Sequence, residues 1–259
     1  RSATRSPHEP DVVSVKKLSV PELVGRALEG DRRATGRMLT LIERGGEPAD
    51  EITDLTHPAA KGAHVVGITG APGAGKSTLT GQLIRHLPTR GLKPAVLAVD
   101  PSSPLTGGAI LGDRVRMDDV ALDGSFIRSV ATRGYAGGLA LSVPGSVRAF
   151  DACGFDPVLI ETVGVGQVEV DVAGAADTTV VVVNPGWGDA VQANKAGLLE
   201  VADVFVINKA DRDGANHTRR DLELMLDLSH VSGHDDGTGY RPPILMTTAT
   251  DGSGVEAMW

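Results

Sequence analysis

Eight consecutive residues, Gly70-Ala71-Pro72-Gly73-Ala74-Gly75-Lys76-Ser77, carry the most specific chemistry in the chain. In the pattern G-x-x-x-x-G-K-[ST], glycines turn successive backbone N–H groups inward on one anion. A helix opening near Gly75 adds its positive dipole end at the same point. Lys76 supplies a point charge for the β- and γ-phosphates, and Ser77 offers a hydroxyl to Mg²⁺, with Thr78 next in the cradle. A chance glycine turn before an amphipathic helix would also contain glycines, but would not need all eight positions between a strand and a helix. The stretch implies binding of a nucleoside triphosphate.

The other candidates fall where apolar runs end. Asn208-Lys209-Ala210-Asp211 follows Val204-Phe205-Val206-Ile207. In N-K-x-D, the aspartate carboxylate accepts hydrogen bonds from the guanine ring N–H and exocyclic amine. Adenine offers a ring lone pair and no such amine, so a covered carboxylate would go unpaired. The tetrapeptide therefore reads as a preference for GTP over ATP, and its plain alternative is a helix cap after a strand. Glu161, closing Val158-Leu159-Ile160, stands where a second nucleotide signature belongs. It would hold Mg²⁺ directly or through water, and the Gly164 N–H would meet the γ-phosphate. Gln167 is a candidate for orienting the attacking water, although its spacing differs from that of Ras-type enzymes. Asp100 is a further candidate metal ligand. So is Asp113, within a glycine-hinged polar segment over 105–120 that would order around the metal as a switch. Either acid would otherwise cap a turn or face solvent. Thr248-Ala249 would set backbone amides near the guanine carbonyl oxygen, with threonine where many GTPases carry serine. Arg133 opens another glycine loop and would touch phosphate or a partner, or simply lie at the surface.

Such residues need a scaffold that gathers strand ends. Strands are expected at 64–69, 94–99, 125–130, 157–161, 178–184, 203–208 and 243–248, and most are continuous Val/Ile/Leu/Ala runs, as in parallel strands covered on both faces. Helices are expected at 76–90, 143–152, 190–201 and 217–229. The fold class is α/β, a P-loop NTPase with a mostly parallel central sheet flanked by helices, whose ligands bind beyond the carboxyl ends of the strands. Ahead of it, residues 1–18 read as a flexible lead-in with Pro7 and Pro10. Ser19-Val20-Pro21-Glu22 is a capping box opening a short helix, and Asp31 caps a second that stops at Gly45-Gly46. This pair makes a small N-terminal helical subdomain over 19–60. It is too short to bury a core alone, and is expected to pack on a nucleotide-binding domain over 61–259.

Composition narrows the partners. With only 3% aromatics and a net charge of −8 among 259 residues, a base-stacking nucleic-acid surface is not expected. Cys153 is the single cysteine, which excludes an internal disulfide and any CxxC metal site, and it reads as a small core residue. No apolar run approaches the ~18–20 residues of a membrane span. The opening Arg1-Ser2-Ala3-Thr4-Arg5 has no apolar core behind it, as a secretory signal would. The expectation is a cytoplasmic protein with no membrane and no nucleic-acid partner.

Five strings, in this order, resemble the MeaB/ArgK family of P-loop GTPases, which includes the human methylmalonic aciduria type A protein. They are the phosphate loop, Val99-Asp100-Pro101-Ser102-Ser103, Gly112-Asp113-Arg114, Glu161-Thr162-Val163-Gly164-Val165-Gly166-Gln167, and Asn208-Lys209-Ala210-Asp211. The second and fourth are not general GTPase motifs, and the likeness runs from about residue 20 onward. The resemblance implies a chaperone of adenosylcobalamin-dependent methylmalonyl-CoA mutase that binds GTP/GDP and Mg²⁺, hydrolyses GTP slowly, and gates and protects the mutase cofactor. Carried over by motif, Lys76 and Ser77 bind phosphate and metal, Asp100, Asp113 and Glu161 surround Mg²⁺, and Asn208 and Asp211 read guanine. The stretch 186–195 resembles an extra switch, with Asp189 and Lys195 as its charged contacts. The family also homodimerises through a C-terminal helical arm. With Trp259 closing soon after the base-side loop, that arm is expected to be absent or truncated, which leaves a homodimer open.

Two other readings stand beside this one. A nickel-delivery accessory GTPase would usually carry histidine-rich tracts or cysteine clusters, and seven scattered histidines with one cysteine argue against it. A kinase of a small molecule or transport protein would need a general base that the sequence does not single out.

Overall fold

Seven apolar runs assemble into one sheet in the computed structural model, which describes residues 18–100, 124–131, 142–162, 171–187, 192–231 and 240–259. The strands are β1 (Val65–Gly70), β2 (Ala95–Asp100), β3 (Phe126–Ala131), β4 (Val158–Thr162), β5 (Thr178–Val183), β6 (Val204–Asn208) and β7 (Ile244–Thr247). Their order is β3-β2-β4-β1-β5-β6-β7. All of these pairings are parallel. β1 is central; on one side the chain goes to β2 and the edge strand β3 before β4 returns between β2 and β1, and on the other side it steps outward through β5, β6 and β7. The carboxyl end of β1 is therefore the switch point at which such sheets hold ligands.

The inner strands are buried on both faces, whereas the edge strands β3 and β7 are partly covered. All six residues of β1 and all five of β4 are buried. Alternate residues feed opposite layers. On one face Ile68, Val96, Leu159, Val180, Val182 and Val206 pack with Leu79 and Leu83 of α4 (Lys76–His86). On the other face, Val181, Val183, Phe205 and Ile207 pack against α6 (Gln192–Val201) and α7 (Ala215–Val231), through Leu198, Leu222 and Leu226. The helix expected over 76–90 is α-helical only to His86 and tightens to a 3-10 turn over Leu87–Arg90, where Pro88 lacks the N–H an α-turn needs.

Among the described residues, three α-helices, not two, precede the sheet: α1 (Val20–Leu28), α2 (Arg32–Arg44) and α3 (Glu47–Thr56). Ser19 and Glu22 form the capping box, and Asp31 accepts from the Arg33 and Ala34 N–H groups at 2.9 and 3.1 Å. Gly45 and Gly46 both have positive φ, so the glycine pair ends α2 and turns the chain into α3. Glu47, Pro48 and Asp50 suit the first turn of that third helix, and Ile52 is fully buried. Leu23, Met38, Leu39 and Ile52 share one core with Val99, Val130 and Phe150, the last on α5 (Ser142–Ala152). Arg128 of β3 reaches Glu43 and Thr40 on α2 at 2.9 and 3.2 Å. Arg32 donates to the Ser125 carbonyl at 2.6 Å and lies over the Phe126 ring. Cys153 is buried in the same core, and burial pushes its thiol pKa up. Among the described residues no helix is long and apolar enough to cross a membrane.

Candidate nucleotide site

The carboxyl ends of β1, β4, β6 and β7 bring four separate sequence stretches together. β1 runs into the glycine loop, and α4 begins at Lys76 immediately after it. Two glycines are required by what surrounds them. A Cβ on Gly70, at φ +127°, would stand 2.0 Å from the Val182 carbonyl oxygen of β5. One on Gly75, at φ +95°, would stand 2.4 Å from Asn208 Nδ2. Each side chain would displace backbone or a buried amide, and each φ disfavours an L residue.

Lys76 is buried, and its ammonium donates to the carbonyl oxygens of Gly70 at 2.5 Å and Ala71 at 3.2 Å. The cation thus lies folded over the loop it would serve. Ser77 Oγ donates to Glu161 Oε1 at 2.5 Å. The parallel register that sets Glu161 beside Ile68 produces this contact by bringing the end of β4 up to the loop. A hydroxyl and a 2% exposed carboxylate at that point are hard oxygen donors, the type Mg²⁺ takes one or two of while keeping waters and phosphate oxygens. Ser77 and Glu161 therefore fit the metal named from the sequence.

Asn208 joins the phosphate side to the base side. Its Nδ2 donates to the Ala74 carbonyl at 2.8 Å, while Oδ1 accepts from the Ala249 N–H at 3.0 Å and from Thr247 Oγ1 at 3.3 Å. Asn208 is thus a tie between the two loops, and its NH2 group carries a second N–H besides the one given to Ala74. Lys209 donates to the Gly73 carbonyl at 2.7 Å and takes the left-handed conformation, φ +58°. For a non-glycine residue that costs about 1–2 kcal/mol, a strain that recurs at functional sites. Asp211 is exposed, so the penalty for an unpaired carboxylate would arise only when a base covers it.

The loop after β7 is closed on itself. Thr248 N–H donates to the Ser253 carbonyl at 2.9 Å, and Gly252 N–H to the Thr248 carbonyl at 3.0 Å. Both amides of the expected Thr248-Ala249 pair are therefore engaged within the protein, and a base carbonyl reaching them would compete with Ser253 and Asn208. Gln82 of α4, which no motif singled out, donates through Nε2 to the Ala249 carbonyl at 2.8 Å.

Pro72, Gly73 and Thr78 are exposed at the loop, and Ala74 is buried beneath it. Asp113, Gly164, Gln167, Asp189, Arg114 and Arg133 lie outside the described residues, as do residues 1–17 and the side chains of Asp100 and Lys195. The described part of the site thus unites Lys76, Ser77, Glu161, Asn208, Lys209 and Ala249.

A family model described as "Methylmalonyl Co-A mutase-associated GTPase MeaB" matches residues 35–259. A putative GTPase of Pyrococcus abyssi is 51% identical over 241 residues, covering 93% of this chain and 74% of that protein. The fused isobutyryl-CoA mutase of Cupriavidus metallidurans is 37% identical over 219 residues, which cover 83% of this chain but 20% of that protein. A solved structure described as a LAO/AO transport system kinase aligns with a TM-score of 0.67 at 27% identity, covering 93% of this chain and 72% of the other.

Proposed function

This chain belongs to the MeaB family of GTPases, and on that premise we propose that it is a guanine-specific regulator of a methylmalonyl-CoA mutase-type enzyme, gating and protecting that enzyme's adenosylcobalamin. The observation that carries the nucleotide part is the tie through Asn208, which holds the phosphate loop and the base-side loop at one spacing. Support for the partner comes from the family's description and from the relative in which a homologous segment is part of a fused acyl-CoA mutase. The proposed setting is the cytoplasm.

On nucleotide binding, Lys76 would turn from the Gly70 and Ala71 carbonyls to the β- and γ-phosphate oxygens, where its hydrogen bonds would be charge-assisted. The backbone N–H groups of the glycine loop would orient the same phosphates. Ser77 and Glu161 would hold Mg²⁺, with Asp100 and Asp113 as further candidates. When bound, the metal would neutralise charge developing on the phosphate oxygens. Gly164 N–H would meet the γ-phosphate, Gln167 would orient the attacking water, and Asp211 would accept the two guanine N–H groups. Intrinsic turnover is expected to be slow. An arginine finger contributes about 10³–10⁵ in rate, and Arg114 or a partner's arginine is the proposed source.

The partner reading is tested by mixing the chain with purified methylmalonyl-CoA mutase in GDP or in a non-hydrolysable GTP analogue. Co-elution that depends on the nucleotide supports it, and absence of a complex in both states overturns it. The solved relative described as a transport system kinase motivates a second reading. It requires transfer of the γ-phosphate to an acceptor other than water, and release of all label as inorganic phosphate excludes it.

A further inference from the structure

Ala249 is gripped by both of its backbone polar groups, each through a side chain from a different element. Its N–H donates to Asn208 Oδ1 at 3.0 Å, and its carbonyl accepts from Gln82 Nε2 at 2.8 Å. The residue is 3% exposed, so water is a poor substitute for either contact. Asn208 is also bound to the Ala74 carbonyl of the phosphate loop, and Gln82 rides on the helix that begins at Lys76. These contacts close a circuit from the phosphate loop through Asn208, Ala249 and Gln82 into α4 and back to the phosphate loop.

Among the described residues, the other polar bonds of the base-side loop are largely internal. Thr248 to Ser253, Asp251 to Thr248, Gly252 to Thr248 and Ser253 to the Asp251 carboxylate are all bonds within the loop. Val255, just beyond it, is anchored in the apolar layer with Leu79 and Leu83. That contact secures the end of the loop, while Gln82 secures its beginning, next to the residues assigned to the base.

We propose that Gln82 is a positioning residue for the nucleotide base. By holding Ala249 against Asn208 it sets the spacing between base-side loop and phosphate loop, and so the affinity for guanine nucleotides and their preference over adenine nucleotides. The inference rests on the reading of Asp211 and Thr248-Ala249 as the base side. The contact needs a donor on a side chain of this length. Glutamate is nearly isosteric but faces the Ala249 carbonyl with an acceptor, and leucine leaves that carbonyl without a partner.

The test titrates wild type, Gln82→Glu, Gln82→Leu and Asp211→Asn with GDP, ADP and xanthosine diphosphate, and follows GTP turnover. Both Gln82 variants should weaken GDP by about 2- to 10-fold, the worth of one buried hydrogen bond. ADP should change less, and the loss should appear in KM rather than kcat. Relative to wild type at the same pH, Gln82→Glu should begin to regain GDP affinity as pH falls from about 7 to about 4.5, where its carboxyl takes up the proton that makes it a donor. Gln82→Leu should show no such recovery, and a loss due only to packing would leave the two variants alike. GDP affinity unchanged in Gln82→Glu, with Asp211→Asn shifted towards xanthosine diphosphate, would overturn the role of Gln82 and leave the base-side reading standing. No shift in Asp211→Asn would overturn the base-side reading, and this inference with it.

Discussion

At the amino ends of the strands, aspartates are consumed by backbone. Asp151 accepts from the Lys61 and Gly62 N–H groups, Asp156 from His64 N–H, Asp177 from Val65 N–H and Asp203 from Thr179 N–H. At the carboxyl ends the polar side chains instead hold each other or the glycine loop: Ser77 with Glu161, Lys76 and Lys209 on loop carbonyls, Asn208 across two loops. The residue types overlap, but the partners differ. A carboxylate bound to the N–H groups that lead into β1 fixes where the strand begins, and no ligand improves on that arrangement. A lysine such as Lys209, donating to the neutral Gly73 carbonyl, would gain from phosphate oxygens, because charge-assisted bonds are stronger. One end of the sheet spends its polar groups on folding, and the other keeps them exchangeable.

The sharpest way to break this contrast is at Lys76. Lys76→Ala is predicted to weaken GTP by about 100-fold or more while leaving the urea midpoint close to wild type, measured by titration and chemical unfolding. Retained GTP affinity and turnover would remove the site assignment. Next in size, Asp211→Asn is predicted to move preference from guanine to xanthine nucleotides by about 10- to 100-fold, read by competition binding.

The opposite end should respond in the opposite observable. Asp151 is buried and takes N–H groups from two consecutive residues, so Asp151→Ala is predicted to cost about 1.5–3 kcal/mol in unfolding free energy with GDP affinity unchanged. A loss of nucleotide affinity without loss of stability would erase the distinction between the ends. The smallest effect is expected at Asp177, whose side chain is 60% exposed and which holds the single Val65 N–H. Asp177→Ala should cost about 1 kcal/mol or less, measured by the same unfolding curves.

The strands and the phosphate loop were readable because their signals are local. Mostly continuous apolar runs mark the parallel strands, and the glycine loop needs only eight neighbouring positions. Glu161, Asn208 and Lys209 were readable as strand ends, and the structure brings them to the loop. Other features depend on partners distant in the chain. Nothing near Gln82 announces a contact with Ala249, which lies 167 residues away. Nor does Asp151 advertise that it receives backbone 90 residues upstream. The third helix escaped for a different reason: Gly45-Gly46 reads as a stop, but it also turns the chain, and only Ile52 and Thr56 of α3 are buried. The motif that named Asn208 as a reader of guanine placed it correctly at the end of β6, but the two loops it joins appear only once the chain is folded.

The proposed activity is that of a guanine-specific GTPase answering to an acyl-CoA mutase. Its most direct test is turnover of GTP, with ATP as control, alone and after adding purified methylmalonyl-CoA mutase. A slow rate confined to GTP that rises when the mutase is added is expected. Equal turnover of ATP would contradict the base-side assignment, and a GTP-selective rate indifferent to the mutase would contradict the proposed partner.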